Sequence, residues 1–222
     1  MDSANNLITK MAAAPDSSAV ESLANELLKQ YQRGSPLDSL RRLLASESDR
    51  LVDKGVWIAS ELGSDGKPLL PDIVRLLGHR SKKARFWSID CILLWAGLSN
   101  GYEVASVVPL VDDLEEAVRW KAMGFLALAA REQLEAAVGQ LAVADPESVY
   151  LGELRWTLAS AGADPDQISD SLKSPSSLRR KFAAAAAFRI AKTDPETLRR
   201  AARSNDQEIA QFAGDMLMRV SP

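Results

Sequence analysis

The sequence holds one cysteine, Cys91, and one histidine, His79, among 222 residues. A lone cysteine excludes an internal disulfide and suits a reducing compartment. Cys91 and His79 together cannot fill a structural zinc site, which takes four such ligands. Runs of β-branched residues are few, whereas alanine and leucine are abundant, and this favours helix over strand. No apolar run approaches the roughly 20 residues needed to span a bilayer. The opening Met1-Asp2-Ser3-Ala4-Asn5-Asn6 lacks the basic segment and apolar stretch of a signal peptide. A cytoplasmic location is the expectation. No GxxxxGK[ST] or GxGxxG loop is present to cradle a phosphate. A Ser–His–Asp or Cys–His centre would have to use His79, which sits in Gly78-His79-Arg80 beside a turn, where a cap or surface role is the plainer reading. These absences lead to the expectation of a chain that is not an enzyme, with no catalytic residue, no metal and no cofactor.

What is there is a repeat. Segments beginning at Val52, Ala84, Val118, Val149, Leu178 and Ile209 align with one another at spacings of 32, 34, 31, 29 and 31 residues. A shorter series at Leu40, Ile73, Val107, Ala137, Ile168 and Leu198 precedes them with nearly the same period. Apolar residues recur at three and four within each segment, so the unit is a short helix, a turn and a longer helix. Polar stretches such as Ser46-Glu47-Ser48-Asp49, Asp112-Asp113 and Ser204-Asn205-Asp206 separate the two helices and could cap the second. Pro146 and Pro175 fit the first turn of their following helices. Gly63-Ser64-Asp65-Gly66, Ser99-Asn100-Gly101 and Gly162-Ala163-Asp164-Pro165 read as stops between units.

The pattern resembles HEAT repeats over about residues 35–220. It implies an all-α solenoid of about six HEAT-like helix pairs, 35–222, as a single continuous domain. The preceding segment, 1–34, is expected to contribute a capping helix over Ser17–Gln32, because terminal repeats need a distinct outer face.

The alignment supplies a register. Counting from the first residue of each longer helix, offsets 0, 4, 7, 8 and 11 are apolar or small and form one side. Offset 2 on the opposite side reads Lys54, Phe86, Trp120 and Leu151, and offset 6 contributes Asp90, Gly124 and Arg155. Equal offsets become neighbours in a regular solenoid. The expected partner-binding surface is therefore Lys54, Phe86, Asp90, Trp120, Leu151 and Arg155, an apolar row bordered by charge. Trp57, Trp87, Trp95 and Trp156 fall at offsets that assign them to the core or to packing between repeats.

Charge is segregated along the chain. Residues 75–85 carry five Lys or Arg and no acid, residues 112–170 are acidic, and residues 173–203 hold nine Lys or Arg against Asp194 and Glu196. A basic–acidic–basic surface that steers a complementary partner is the functional reading. Phe86-Trp87-Ser88-Ile89-Asp90 also resembles the groove aromatics and aspartate of HEAT-like DNA alkylation-repair glycosylases. A net charge of −3 and the acidic middle oppose a duplex-binding groove, so nucleic acid is not the expected partner. The stretch Lys54–Gly63, with Leu69–Leu77 and Ala84–Asp90, is similar to small bacterial HEAT-repeat immunity proteins of polymorphic or contact-dependent toxins. That resemblance covers about residues 45–100. It implies a cytoplasmic inhibitor that binds and neutralises a toxin domain. A general scaffold or adaptor for another protein is the alternative.

Overall fold

A computed structural model describes residues 3–14, 16–160 and 165–220, and all regular structure among them is helical. The chain divides into two compact units, 1–95 and 96–222. All twelve helices implied by the two sequence series are present, so the chain is an α-solenoid type built from HEAT-like pairs.

The first unit contains α1 (Ser3–Ala13), α2 (Ser17–Gln32), α3 (Asp38–Leu44), α4 (Asp49–Ser60), α5 (Leu70–Val74) and α6 (Lys82–Trp95). α1 is absent from the sequence reading, although Ala4, Leu7 and Met11 mark its buried stripe. It packs on α2, so the N-terminal segment is a helix pair rather than one capping helix. Arg50, at the start of α4, donates to Ala14 O at 3.0 Å and Ala12 O at 3.3 Å. A cation there satisfies carbonyls that a helix C-terminus leaves open. Gly63, at φ 54°, lets the chain leave α4, but the expected loop 63–66 is the start of a 3₁₀ helix, Gly63–Leu69. The Trp95 indole lies over Gly66 and donates to Gly63 O at 2.6 Å. A Cβ at Gly66 would collide with that ring.

The turns within pairs share a construction. A side-chain acceptor takes the backbone N–H two residues on, and the second helix starts one residue after that amide. Ser46 does this for Ser48 at 3.2 Å, His79 Nδ1 for Ser81 at 3.1 Å, and Asp113 for Glu115 at 2.8 Å. In the second unit Ser174 serves Ser176 and Ser204 serves Asp206. Such local bonds hold a turn against helix propagation. In three of these five turns an arginine six residues beyond the acceptor then closes the turn. Arg85 donates to His79 O at 2.7 Å, Arg119 to Asp113 O at 2.9 Å and Arg180 to Ser174 O at 2.7 Å. His79 is thus a turn residue.

The second unit contains α7 (Gly101–Val107), running into a 3₁₀ turn (Val108–Asp112), then α8 (Glu116–Leu128), α9 (Arg131–Ala144), α10 (Val149–Ser160), α11 (Pro165–Ser171), α12 (Ser177–Arg189), α13 (Pro195–Ala202) and α14 (Gln207–Val220). Pro146 and Pro175 precede α10 and α12 rather than occupying their first turns. Of the expected stop 162–165, residues 162–164 lie outside the described residues, and Pro165 opens α11.

Packing departs from sequence order at α8. This helix packs on α12 and reaches α14, whereas α10 packs on α9 and α12. Five consecutive buried alanines, Ala183–Ala187, narrow α12. α8 buries an unbroken run from Ala122 to Ala127. Phe125, Phe182 and Phe212 fill the core of α8, α12 and α14. Cations lock the arrangement. Lys181 Nζ donates to Val111 O and to Asp112, both at 2.7 Å. Arg189 donates to Leu126 O at 3.0 Å and Ala129 O at 2.7 Å, capping the end of α8. Burial, and then the charge of Arg131, lower the Arg189 pKa. Arg119 Nε meets Glu208 of α14 at 2.6 Å. In the α9–α10 linker the Ser148 amide turns to Asp145 O at 3.1 Å, and Leu151 stands at the arginine position.

α7 and α9 approach at Gly101, where a Cβ would lie 2.6 Å from the backbone oxygen of Ala136. Backbone cannot yield as a side-chain tip can, so Gly101→Ala is expected to cost about 1–3 kcal/mol. Urea unfolding followed by circular dichroism measures it, and an unchanged midpoint would show that α7 and α9 are further apart.

Candidate functional site

In the first unit, α4 and α6 pack together and place three of the expected site residues on their outer sides. Lys54 forms an ion pair with Glu21 of α2, and its ammonium lies 5.9 Å from the centre of the Trp57 ring. Phe86 is half-buried and meets Trp87 edge-on, with ring centres 5.1 Å apart. Residues 86, 90 and 94 are spaced by four, so Phe86, Asp90 and Leu94 form one stripe along α6. Leu94 is 62% exposed. Trp57 and Trp87 are half-buried rather than enclosed, while Trp95 is core. The face therefore carries Trp57, Phe86, Trp87 and Leu94 among Lys54, Glu61 and Asp90. Directly behind it, Cys91 is buried, and desolvation with the charge of Asp90 pushes its thiol far up. A thiol held in that form is a small apolar packing group.

The second unit does not extend that face in the expected way. Leu151 is only 2% exposed and is a core residue, which corrects its assignment to a binding row. Trp120 is half-buried and looks toward α14, with its ring 6.4 Å from Phe212 and its Nε1–H donated to Asp215 at 3.1 Å. Gly124 is buried, and a Cβ on it would touch Met216 of α14. Arg155 is exposed. The physical reason is the order of packing: α8 packs mainly on α12 and α10 on α9 and α12, so equal offsets of α8 and α10 do not form the row of a regular stack. Trp156 supports the arginine Arg179, whose guanidinium sits 4.6 Å from the ring centre. Arg179 also approaches Glu153 at 3.0 Å. Burial raises the Glu153 pKa, and Arg179 opposes that rise.

The basic segment 173–203 is likewise less exposed than its composition implies. Arg179, Arg180, Lys181 and Arg189 are occupied by internal acids or carbonyls.

Trp57 and Leu94 were not among the expected site residues. A signal for them exists: Lys54 and Glu61 flank Trp57 at three and four residues, and Leu94 follows Asp90 by four. A helix position bracketed by charge on its own face tends to see solvent. Among the described residues, no cluster of His, Cys, Asp or Glu could hold a metal, and no helix is long and apolar enough to cross a membrane.

Stacked helix pairs joined by tight turns define the HEAT-like and armadillo class of fold, and solved structures agree. An engineered protein aligns over 98% of this chain and 96% of its own, at 16% identity and a TM-score of 0.52. A HEAT-like repeat protein from Thermococcus onnurineus NA1 aligns over 99% and 98%, at 12% identity and a TM-score of 0.52. A designed armadillo repeat protein, solved in complex with the peptide (KR)4, aligns over 99% and 100%, at 17% identity and a TM-score of 0.51. No family model and no curated protein sequence matches the chain.

Proposed function

We propose that this chain is a non-enzymatic protein-binding scaffold that engages its partner through the α4–α6 face. The observation that carries the reading is the concentration of half-buried Trp57, Phe86 and Trp87 with exposed Leu94, set among Lys54, Glu61 and Asp90. Aromatic anchors within a charged rim are the usual anatomy of a protein interface. Peptide binding by the designed armadillo neighbour is a property of that protein, and it supports the reading only by showing what such helix pairs can accommodate.

The finer reading is an inhibitor of a cognate toxin domain. It rests on the resemblance over residues 45–100, the stretch that contains both α4 and α6. A photo-crosslinking residue substituted for Leu94, compared in the native host with one at the exposed Gly152 of α10, tests both levels. A polypeptide captured from position 94 and not from 152 supports the face. If that polypeptide is a toxin domain whose activity falls as this chain is titrated in, the inhibitor reading holds. An unrelated captured protein leaves a general adaptor, and equal capture at both positions rejects the α4–α6 face.

A further inference from the structure

A cleft of about 870 Å³ opens in the second unit at the end of α11, α13 and the turns that follow them. Four cations line it, Lys173, Arg180, Arg200 and Arg203, against one acid, Asp206. Asp206 does not offset them all, because Arg180 claims it from 2.8 Å with one nitrogen and 2.9 Å with another. The other carboxylate oxygen of Asp206 accepts the Glu208 amide at 3.1 Å. Arg180 and Asp206 thus neutralise each other as part of the turn.

Lys173, Arg200 and Arg203 are left with weak ties. Lys173 lies 3.4 Å from Asp170, Arg200 lies 3.6 Å from Asp166, and Arg203 lies 3.8 Å from Glu196. Their side chains are 77%, 51% and 74% exposed. Exposed pairs at such distances contribute about 0–1 kcal/mol, so an incoming carboxylate can displace them. The Ser169 hydroxyl accepts from Arg200 at 3.0 Å and steadies it at the cleft. Ser174, Ser204 and Asn205 add neutral donors, and Leu172 adds an apolar patch. With Arg179, Lys181 and Arg189 turned inward, five cations of segment 173–203 remain exposed, and the cleft gathers three of them, Lys173, Arg200 and Arg203.

We propose that this cleft binds an acidic stretch of a partner polypeptide, whose carboxylates are taken up by Lys173, Arg200 and Arg203. The volume falls in the range of ligand sites, about 300–1,000 Å³, and exceeds what one small oxyanion would fill. Long, exposed cations drawn from two helices and their turns suit carboxylates spaced along a chain. They would read charge more than shape, so binding should weaken steeply with salt. This inference rests on the protein-binding reading but uses a different surface.

The test is the fluorescence anisotropy of labelled octa-glutamate with the full chain, at low salt and with 0.5 M sodium chloride added. Binding is expected at low salt and should be largely lost at high salt. The double reversal Arg200→Glu/Arg203→Glu should weaken it by at least about tenfold. Lys192→Glu, an exposed cation outside the cleft lining, should change it little. Circular dichroism checks that the variants stay folded. No binding of octa-glutamate, or equal loss in the Lys192 variant, overturns the proposal. Full competition by millimolar inorganic phosphate would make this a free-oxyanion site, and tighter binding of single-stranded dT12 would make it a nucleic-acid site. Either outcome also overturns it. Crosslinking from position 94 is read separately, so failure of the cleft leaves the α4–α6 reading standing.

Discussion

Alanine at both Trp120 and Phe212 is expected to cost less stability than the two single substitutions added together. Phe212 is fully enclosed in α14, and its replacement should cost about 3–5 kcal/mol. Trp120 is half-buried, so its loss should cost less, about 2–3 kcal/mol, including the bond to Asp215. The edge-to-face contact at 6.4 Å would appear as a coupling of about 0.5–1.5 kcal/mol between the two sites. Urea midpoints of the wild type, both single variants and the double variant supply the cycle. Strict additivity would mean that α8 and α14 do not meet, and would return Trp120 to the surface row that the repeat alignment implies.

Lys181→Met should lose about 2–3 kcal/mol, although methionine preserves most of the apolar stem. The ammonium is enclosed and satisfies Val111 O at the end of the 3₁₀ turn, and it also holds Asp112, which accepts from Tyr150 at 3.3 Å. Removing the cation leaves a buried carbonyl without its partner. The matching control is Lys192→Met at an exposed position, expected within about 0.5 kcal/mol of wild type. If both substitutions behave alike, Lys181 is a solvated residue of a basic surface rather than a strut of the core.

The contrast between these two lysines shows where sequence reading stops. Helix and turn positions were legible because each pair repeats one local problem. Apolar residues at three and four mark the buried side, and a small polar acceptor such as Ser46, Asp113 or Ser174 marks the turn. α1 was missed because it precedes the periodic region and has only Ala4, Leu7 and Met11 to announce it. Long-range order was not legible. Nothing in the alignment of position 120 with position 151 reveals that α8 packs on α12, whose run Ala183–Ala187 is buried. The candidate surface divided along the same line. Lys54, Phe86 and Asp90 remain on the outer face of their helices, Leu151 enters the core, and Trp120 turns to α14. The arginines were read by composition alone, which cannot separate Arg189, bound to carbonyls, from Arg203, facing solvent.

The ties from Arg119 to Glu208, from Lys181 to Val111 and from Arg189 to Ala129 span 89, 70 and 60 residues. A linear repeat array gains stability one module at a time, and its last module can be trimmed at modest cost. The second unit has a higher contact order than that and is closed on itself. α8 cannot complete its environment until α12 and α14 have been synthesised. Its modules are therefore not interchangeable, and lengthening the second unit by duplicating an internal pair would break the contacts that join α8 to α12 and α14.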